Sequence, residues 1–182
     1  ERHDEDPGLS DLGRKSMGWL SNSGVVVDLS HMSHQALDEA LAWCEANGVS
    51  PIISHGFLEA PSPSSAPAPV SHALAHSGSR ESFHGHRAIS EEQLVRLYKL
   101  GGHFGIVLSG KAHDPADGTQ RAFVREYKRL VGVLHKPENI QAILGLAVPT
   151  PYDALTREQR TRLSLAGAAG DFSDAIAPRR SY

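Results

Sequence analysis

"GVVVDLSHMSHQALDEALAWCEANGVSPIISHG", Gly24 to Gly56, is the stretch on which the fold turns. Gly24 releases the chain into an aliphatic run at 25–29, and continuous apolar character of this kind predicts a strand covered on both faces. Leu37, Ala40, Leu41 and Cys44 then recur at helical spacing, which predicts a helix over 33–47. Gly48 suits the left-handed position that stops it. A second apolar run predicts a strand over 49–54. Strand, helix and strand in this order and at this length describe a parallel α/β unit.

The same alternation extends in both directions. Upstream, Ser10 or Asp11 can cap a helix carrying Leu12, Ser16, Trp19 and Leu20 on one face. Downstream, residues 56–88 are rich in proline, serine, alanine and histidine and lack periodicity, as expected of a long functional loop or lid. Order resumes at Ser90, where "SEEQ" is a capping box. Leu94, Leu97 and Leu100 form its buried stripe, and Gly101-Gly102 end that helix. A strand over 104–108 and a helix over about 118–134 follow, the latter with Phe123, Tyr127, Leu130, Val131 and Leu134 inward. Residues 143–148 read as a strand, "TREQ" at Thr156–Gln159 as a second capping box, and "LSLAGAAGDF" as a glycine-softened final strand.

The expected architecture is one α/β domain over 1–182 with a parallel sheet. No glycine-rich phosphate loop follows any strand. A (β/α)8 barrel typically needs about 250 residues, and only four or five units are present, so a barrel would be represented here in part. The net charge of −3, with both signs mixed along the chain, lacks the concentrated basic face of a nucleic-acid binder. No apolar run reaches the roughly 18 residues of a membrane span. The single cysteine excludes an internal disulfide, and Cys44 reads as a small buried residue on a helix face. The chain opens on Glu1 rather than methionine, as a processed, trimmed or excerpted product would. No secretory signal is visible in it, so the compartment stays open, with an exported or cell-envelope protein among the options.

Active sites of parallel α/β folds lie at the C-terminal ends of the strands. His31 follows the first predicted strand and His55 the second, so two consecutive strands deliver a histidine to one face. Imidazoles held on rigid elements suit metal ligation, with zinc the default metal for such donors. A strand-end histidine can equally hydrogen-bond loop backbone.

The segment "GLSDLGRKSMGWLSNSGVVVDLSHMS", followed in order by "PIISHG", "HRAISEEQLVRLYKLGG" and "HFGIVLSG", resembles the membrane dipeptidases, peptidase family M19. The resemblance runs from about Pro7 to Gly110. It implies a (β/α)8 barrel of the amidohydrolase type, two zinc ions, and attack of a bridging water on a dipeptide or similar small amide. Carried over by position, His31 and His55 resemble two zinc ligands, and Arg87 resembles the arginine that grips the substrate carboxylate. "AHSGSRESFHGHR" offers His76 as the alternative to His55. His55 is preferred because it follows the more convincing strand. "LAGAAGDFSDAIAP" resembles the segment carrying the family's acid/base aspartate and so points to Asp171, although Ser173-Asp174 depart from the pattern.

The family's His-x-Asp zinc motif and its metal-bridging glutamate have no counterpart in the chain. The expectation is therefore the C-terminal half of such an enzyme, completed by an upstream segment or a second chain. The alternatives are a degenerate homologue serving as a binding or assembly module, and an unrelated α/β protein with surface histidines.

Overall fold

The computed structural model describes residues 8–59, 88–107, 120–164 and 166–167. Helix α1, Asp11–Asn22, starts where the Ser10 hydroxyl accepts the Gly13 amide. Helix α2, His34–Asn47, is capped by Ser33 and ends at Gly48 in the left-handed conformation (φ 63°). Strand β1, Ile52–Leu58, is followed by the short strand β2, Ala88–Ile89. Helix α3, Glu91–Lys99, opens on the expected capping box, with the Ser90 and Gln93 side chains each satisfying the other's backbone amide. Strand β3, His103–Ile106, leads to helix α4, Gln120–Leu134, and helix α5, Pro137–Leu144. A 3-10 turn at Tyr152–Ala154 precedes helix α6, Arg157–Arg162, which has the second capping box, and strand β4, Ala166–Gly167.

The sheet is parallel throughout, in the order β2-β1-β3-β4. On the edge of β1 away from β3, residues 27–29 run alongside it. Leu29 donates its amide to the Ile52 carbonyl at 2.8 Å, and Ile52 donates to Val27 at 2.9 Å. Apart from the short β2, each strand therefore lies beside the next in sequence, with no reversal of order. Right-handed crossovers between parallel neighbours put the connecting helices on one flank, and α2, α3 and α5 pack there in succession. Their apolar faces close one core: Leu37, Ala40, Leu41 and Cys44 from α2, Leu94, Leu97 and Tyr98 from α3, and Ile53, Phe104 and Ile106 from the sheet. Cys44 is fully buried, and burial pushes its thiol pKa up to about 11.

Five local expectations change. The strand expected over 49–54 forms as Ile52–Leu58, so His55 lies inside it rather than just past its end. The run 25–29 is not covered on both faces. Val27 and Leu29 are buried, whereas Val25 and Val26 are 50% and 59% exposed and Asp28 also faces outward. In α1 the buried residue is Met17; Leu12, Trp19 and Leu20 are exposed. Residues 143–148 are not a strand, because Pro137 at a helix start and Gly145 at φ 66° bracket helix α5. In α4, Tyr127 faces solvent, and Val133 takes an inward place beside Leu130 and Leu134.

Candidate metal centre

The pairing of Asp28 with Ile52 fixes a register. One step on, Leu29 lies beside Ile53. Two steps on, the hydroxyls of Ser30 and Ser54 are 3.1 Å apart. Three steps on, the imidazoles of His31 and His55 meet, with Nε2 2.6 Å from Nε2 and ring centroids 4.7 Å apart at 65°. Two Ser-His dipeptides thus stand side by side on neighbouring parallel segments: Ser30-His31 just past the isolated Asp28–Ile52 bridge, and Ser54-His55 within β1 rather than beyond its end.

Two backbone irregularities aim these side chains. His31 has φ 68°, the sole positive φ of a non-glycine residue among the described residues. The left-handed turn lifts its side chain off the line of the strand and over its neighbour. In β1, Ile53 pairs with Phe104 but Gly56 pairs with Ile106, so β1 takes three steps where β3 takes two. The extra residue falls in the Ser54–His55 stretch. Bulges of this sort bend a strand and re-aim side chains beside functional sites.

Behind the histidines lies a chain of polar contacts. His55 Nδ1 is 2.8 Å from Ser54 Oγ. Ser30 Oγ donates to Asp28 Oδ1 at 2.6 Å. The same oxygen accepts the amides of Ser30 at 2.9 Å and Ser54 at 3.2 Å. Partial burial is the largest single influence on the Asp28 carboxyl and pulls its pKa upward. The hydroxyls and amides of Ser30 and Ser54 together outweigh it and hold the pKa below the usual aspartate value. Asp28 is therefore an anion and a pure acceptor at neutral pH. A contact of His34 Nε2 with the Glu59 carboxylate at 3.1 Å ties the start of α2 to the end of β1 just beyond the site.

The donor set suits a metal ion of zinc type. The two imidazole Nε2 atoms face each other at hydrogen-bond distance, and His55 is anchored through its other ring nitrogen, as metal-ligating histidines are. Among the described residues no group of three or more histidine, cysteine, aspartate or glutamate side chains is gathered, so these two histidines are at most part of a ligand set. His76, Arg87 and Asp171 lie outside the described residues. Ala88, which follows Arg87 in sequence, pairs with Phe57, two residues beyond His55.

Asp28, Ser30 and Ser54 were not singled out by sequence reasoning. The signal was the repeated Ser-His dipeptide, one copy on each parallel segment flanking α2.

The sequence model of the family described as membrane dipeptidase (peptidase family M19) matches residues 1–129. No curated protein sequence matches. Among solved structures, the chain is similar to the dipeptidase AC, a metallopeptidase of family M19 (17% identity, TM-score 0.48, covering 70% of this chain and 32% of that one). It is similar to a metallopeptidase from Rhodobacter sphaeroides liganded with a phosphinate mimic of the dipeptide L-Ala-D-Ala (17%, 0.49, 70% and 31%). It is also similar to the probable dipeptidase PvdM from Pseudomonas aeruginosa (20%, 0.44, 90% and 35%). The chain spans about a third of the length of each.

Proposed function

Because the chain belongs to the membrane dipeptidase family, peptidase family M19, we propose that it is part of a zinc-dependent dipeptidase in which His31 and His55 are metal ligands. The observation that carries this reading is the convergence of their Nε2 atoms at 2.6 Å. Zinc bound there would supply a Lewis acid and an activated water for attack on an amide carbonyl. His31 and His55 would hold one side of such an ion, each from its own parallel segment. Arg87 is proposed to pair its planar guanidinium with the free carboxylate of a dipeptide. Asp171 is proposed to take the proton of the attacking water and return it to the leaving amine.

The proposal extends to the architecture. Parallel neighbours in sequence order, with their helices on one flank, support an arc of a (β/α)8 barrel. Val25 and Val26, exposed on the outer edge of the segment beside β1, support completion of the sheet by an upstream segment or a second chain.

The test uses the full-length protein, with zinc measured by mass spectrometry and hydrolysis followed on a dipeptide series. His31→Ala and His55→Ala are each expected to lose bound zinc and activity together. His76→Ala is expected to keep both. If His76→Ala loses zinc and His55→Ala does not, the ligand is His76. Zinc binding without hydrolysis of any dipeptide would make the protein a binding module instead. For Arg87, the measurement is the preference for a dipeptide over its C-terminal amide. Arg87→Lys keeps the charge but loses the fork, and an unchanged acid-to-amide ratio would remove Arg87 from the substrate site.

A further inference from the structure

We infer that Asp28, Ser30 and Ser54 form a proton-ordered relay that fixes the neutral His55 imidazole as its Nδ1–H tautomer, so that Nε2 presents a lone pair. The inference rests on the reading of His55 as a ligand for its purpose, but its geometry stands separately.

The number of protons available fixes the direction of each contact. The Asp28 carboxylate has none to give. Ser30 has one hydroxyl proton, and the 2.6 Å contact commits it to Asp28 Oδ1. Ser30 Oγ is then only an acceptor toward Ser54, and the Asp28 carboxylate, which the Ser54 hydroxyl also stabilises, is only an acceptor as well. With its proton directed at one of these two, Ser54 Oγ accepts at its 2.8 Å contact with His55 Nδ1. The ring must therefore carry hydrogen on Nδ1. In the neutral imidazole this leaves Nε2 bare, facing His31 Nε2. The backbone amide of His55, 3.4 Å from Ser30 Oγ, adds a further donor to that oxygen and reinforces its accepting role. Every contact is satisfied in one direction only, and the carboxylate at the far end sets that direction. Ser30 and Ser54 are thus positioning residues that act on a metal ligand from behind.

The experiment reads the tautomer directly. In the metal-free full-length protein labelled with nitrogen-15, long-range proton–nitrogen correlations distinguish a protonated from a bare ring nitrogen. Wild-type His55 is expected to show hydrogen on Nδ1 and a bare Nε2. Ser54→Ala removes the acceptor that holds the hydrogen on Nδ1. The His55 hydrogen is then expected to move to Nε2, and zinc affinity to fall about ten- to a hundredfold, as for other residues that orient metal ligands. Ser54→Thr keeps a hydroxyl and is expected to retain both the wild-type tautomer and the affinity. Backbone amide spectra of each variant report whether the fold is kept. A wild-type His55 with hydrogen on Nε2, or a folded Ser54→Ala protein with unchanged tautomer, would overturn the relay. If the tautomer behaves as described and no variant binds zinc, the relay stands and the metal reading falls. If zinc binds wild type and Ser54→Ala equally and the tautomer does not move, the relay falls and the metal reading stands.

Discussion

His31 and His55 occupy equivalent steps of two parallel segments, three residues beyond the Asp28–Ile52 pair, yet only His31 turns into the left-handed region to reach its neighbour. A non-glycine residue there carries backbone strain of about 1–2 kcal/mol. If the strain serves the approach of the two rings, relieving it will not harm the fold. His31→Gly is expected to unfold in urea within about 1 kcal/mol of wild type, the relief being offset by glycine's extra freedom in the unfolded chain. His31→Val, β-branched and poorly suited to positive φ, is expected to be clearly less stable than His31→Gly. Both should lose zinc. Equal stability of the two variants would show that the left-handed turn is not held in solution.

A second prediction concerns the end of β1. Leu58 is buried, and its amide donates to the buried Glu126 carboxylate of α4 at 2.6 Å, while Arg129 donates to the Leu58 carbonyl at 3.3 Å and pairs with Glu126 at 3.3 Å. A helix thereby satisfies both backbone groups of one strand residue. Glu126→Ala leaves a buried amide without its acceptor and is expected to cost about 1–3 kcal/mol. Glu126→Gln keeps an acceptor oxygen and is expected to lose less. Chemical denaturation of the two variants decides it, and equal losses would mean that the Arg129 pairing, not the Leu58 amide, is what Glu126 supports.

Much of this was legible beforehand because it is local. The capping boxes at Ser90 and Thr156 and the glycine stop at Gly48 need only a few residues each, and all three form as written. The juxtaposition of His31 with His55 was reached from the rule that parallel strands end on one face, although β1 runs on to Leu58 and holds His55 within it. What escaped depends on other chain segments. Trp19 and Val26 read as core because they are apolar, but their exposure is set by what packs against them. Residues 143–148 are apolar enough for a strand, and only the proline and glycine bracketing α5 reveal a helix. The Asp28–Ser30–Ser54 contacts depend on a register between segments 24 residues apart, which no single window contains.

A third prediction concerns Gly102, between α3 and β3. A Cβ built there would meet the Pro51 carbonyl oxygen at 2.3 Å and the Leu97 carbonyl oxygen at 2.9 Å. Both are backbone atoms, so α3 would have to move relative to the start of β1. Gly102→Ala is expected to destabilise by about 1–3 kcal/mol, the usual range for overpacking. Gly48→Ala is a useful contrast, because its site is open and the penalty there is conformational, from φ 63° alone. Thermal melts should therefore separate the two by their response to a second substitution. Leu97→Ala removes the side chain that would lie 2.8 Å from the new Cβ, so it should soften Gly102→Ala in a double-mutant cycle and leave Gly48→Ala unaffected.

The last prediction is a pH dependence. Glu91 opens α3 and accepts from Lys136 at 2.6 Å and Asn139 at 3.1 Å, joining α3 to the junction of α4 and α5. The Lys136 hydrogen bond is the main cause of its lowered pKa. Burial opposes it, and Asn139 and the positive charges of Lys136 and Arg129 add to the lowering. A carboxyl whose folded pKa lies below its unfolded value stabilises the native state at pH above the unfolded value, and that contribution disappears as pH falls through the folded one. Wild type should therefore lose stability below about pH 4.5, the ordinary glutamate value, more steeply than Glu91→Gln, which has no proton to take up. Both partners are 44% exposed, so the difference at neutral pH should stay within the 0.2–1 kcal/mol or so of a surface pair, and added salt should shrink it. Melting temperatures of the two proteins across pH 3–7, at low and high salt, give the comparison. Parallel acid limbs would mean that Glu91 titrates alike in the folded and unfolded chains, and that the junction of α3 with α4 and α5 is held by its apolar residues alone.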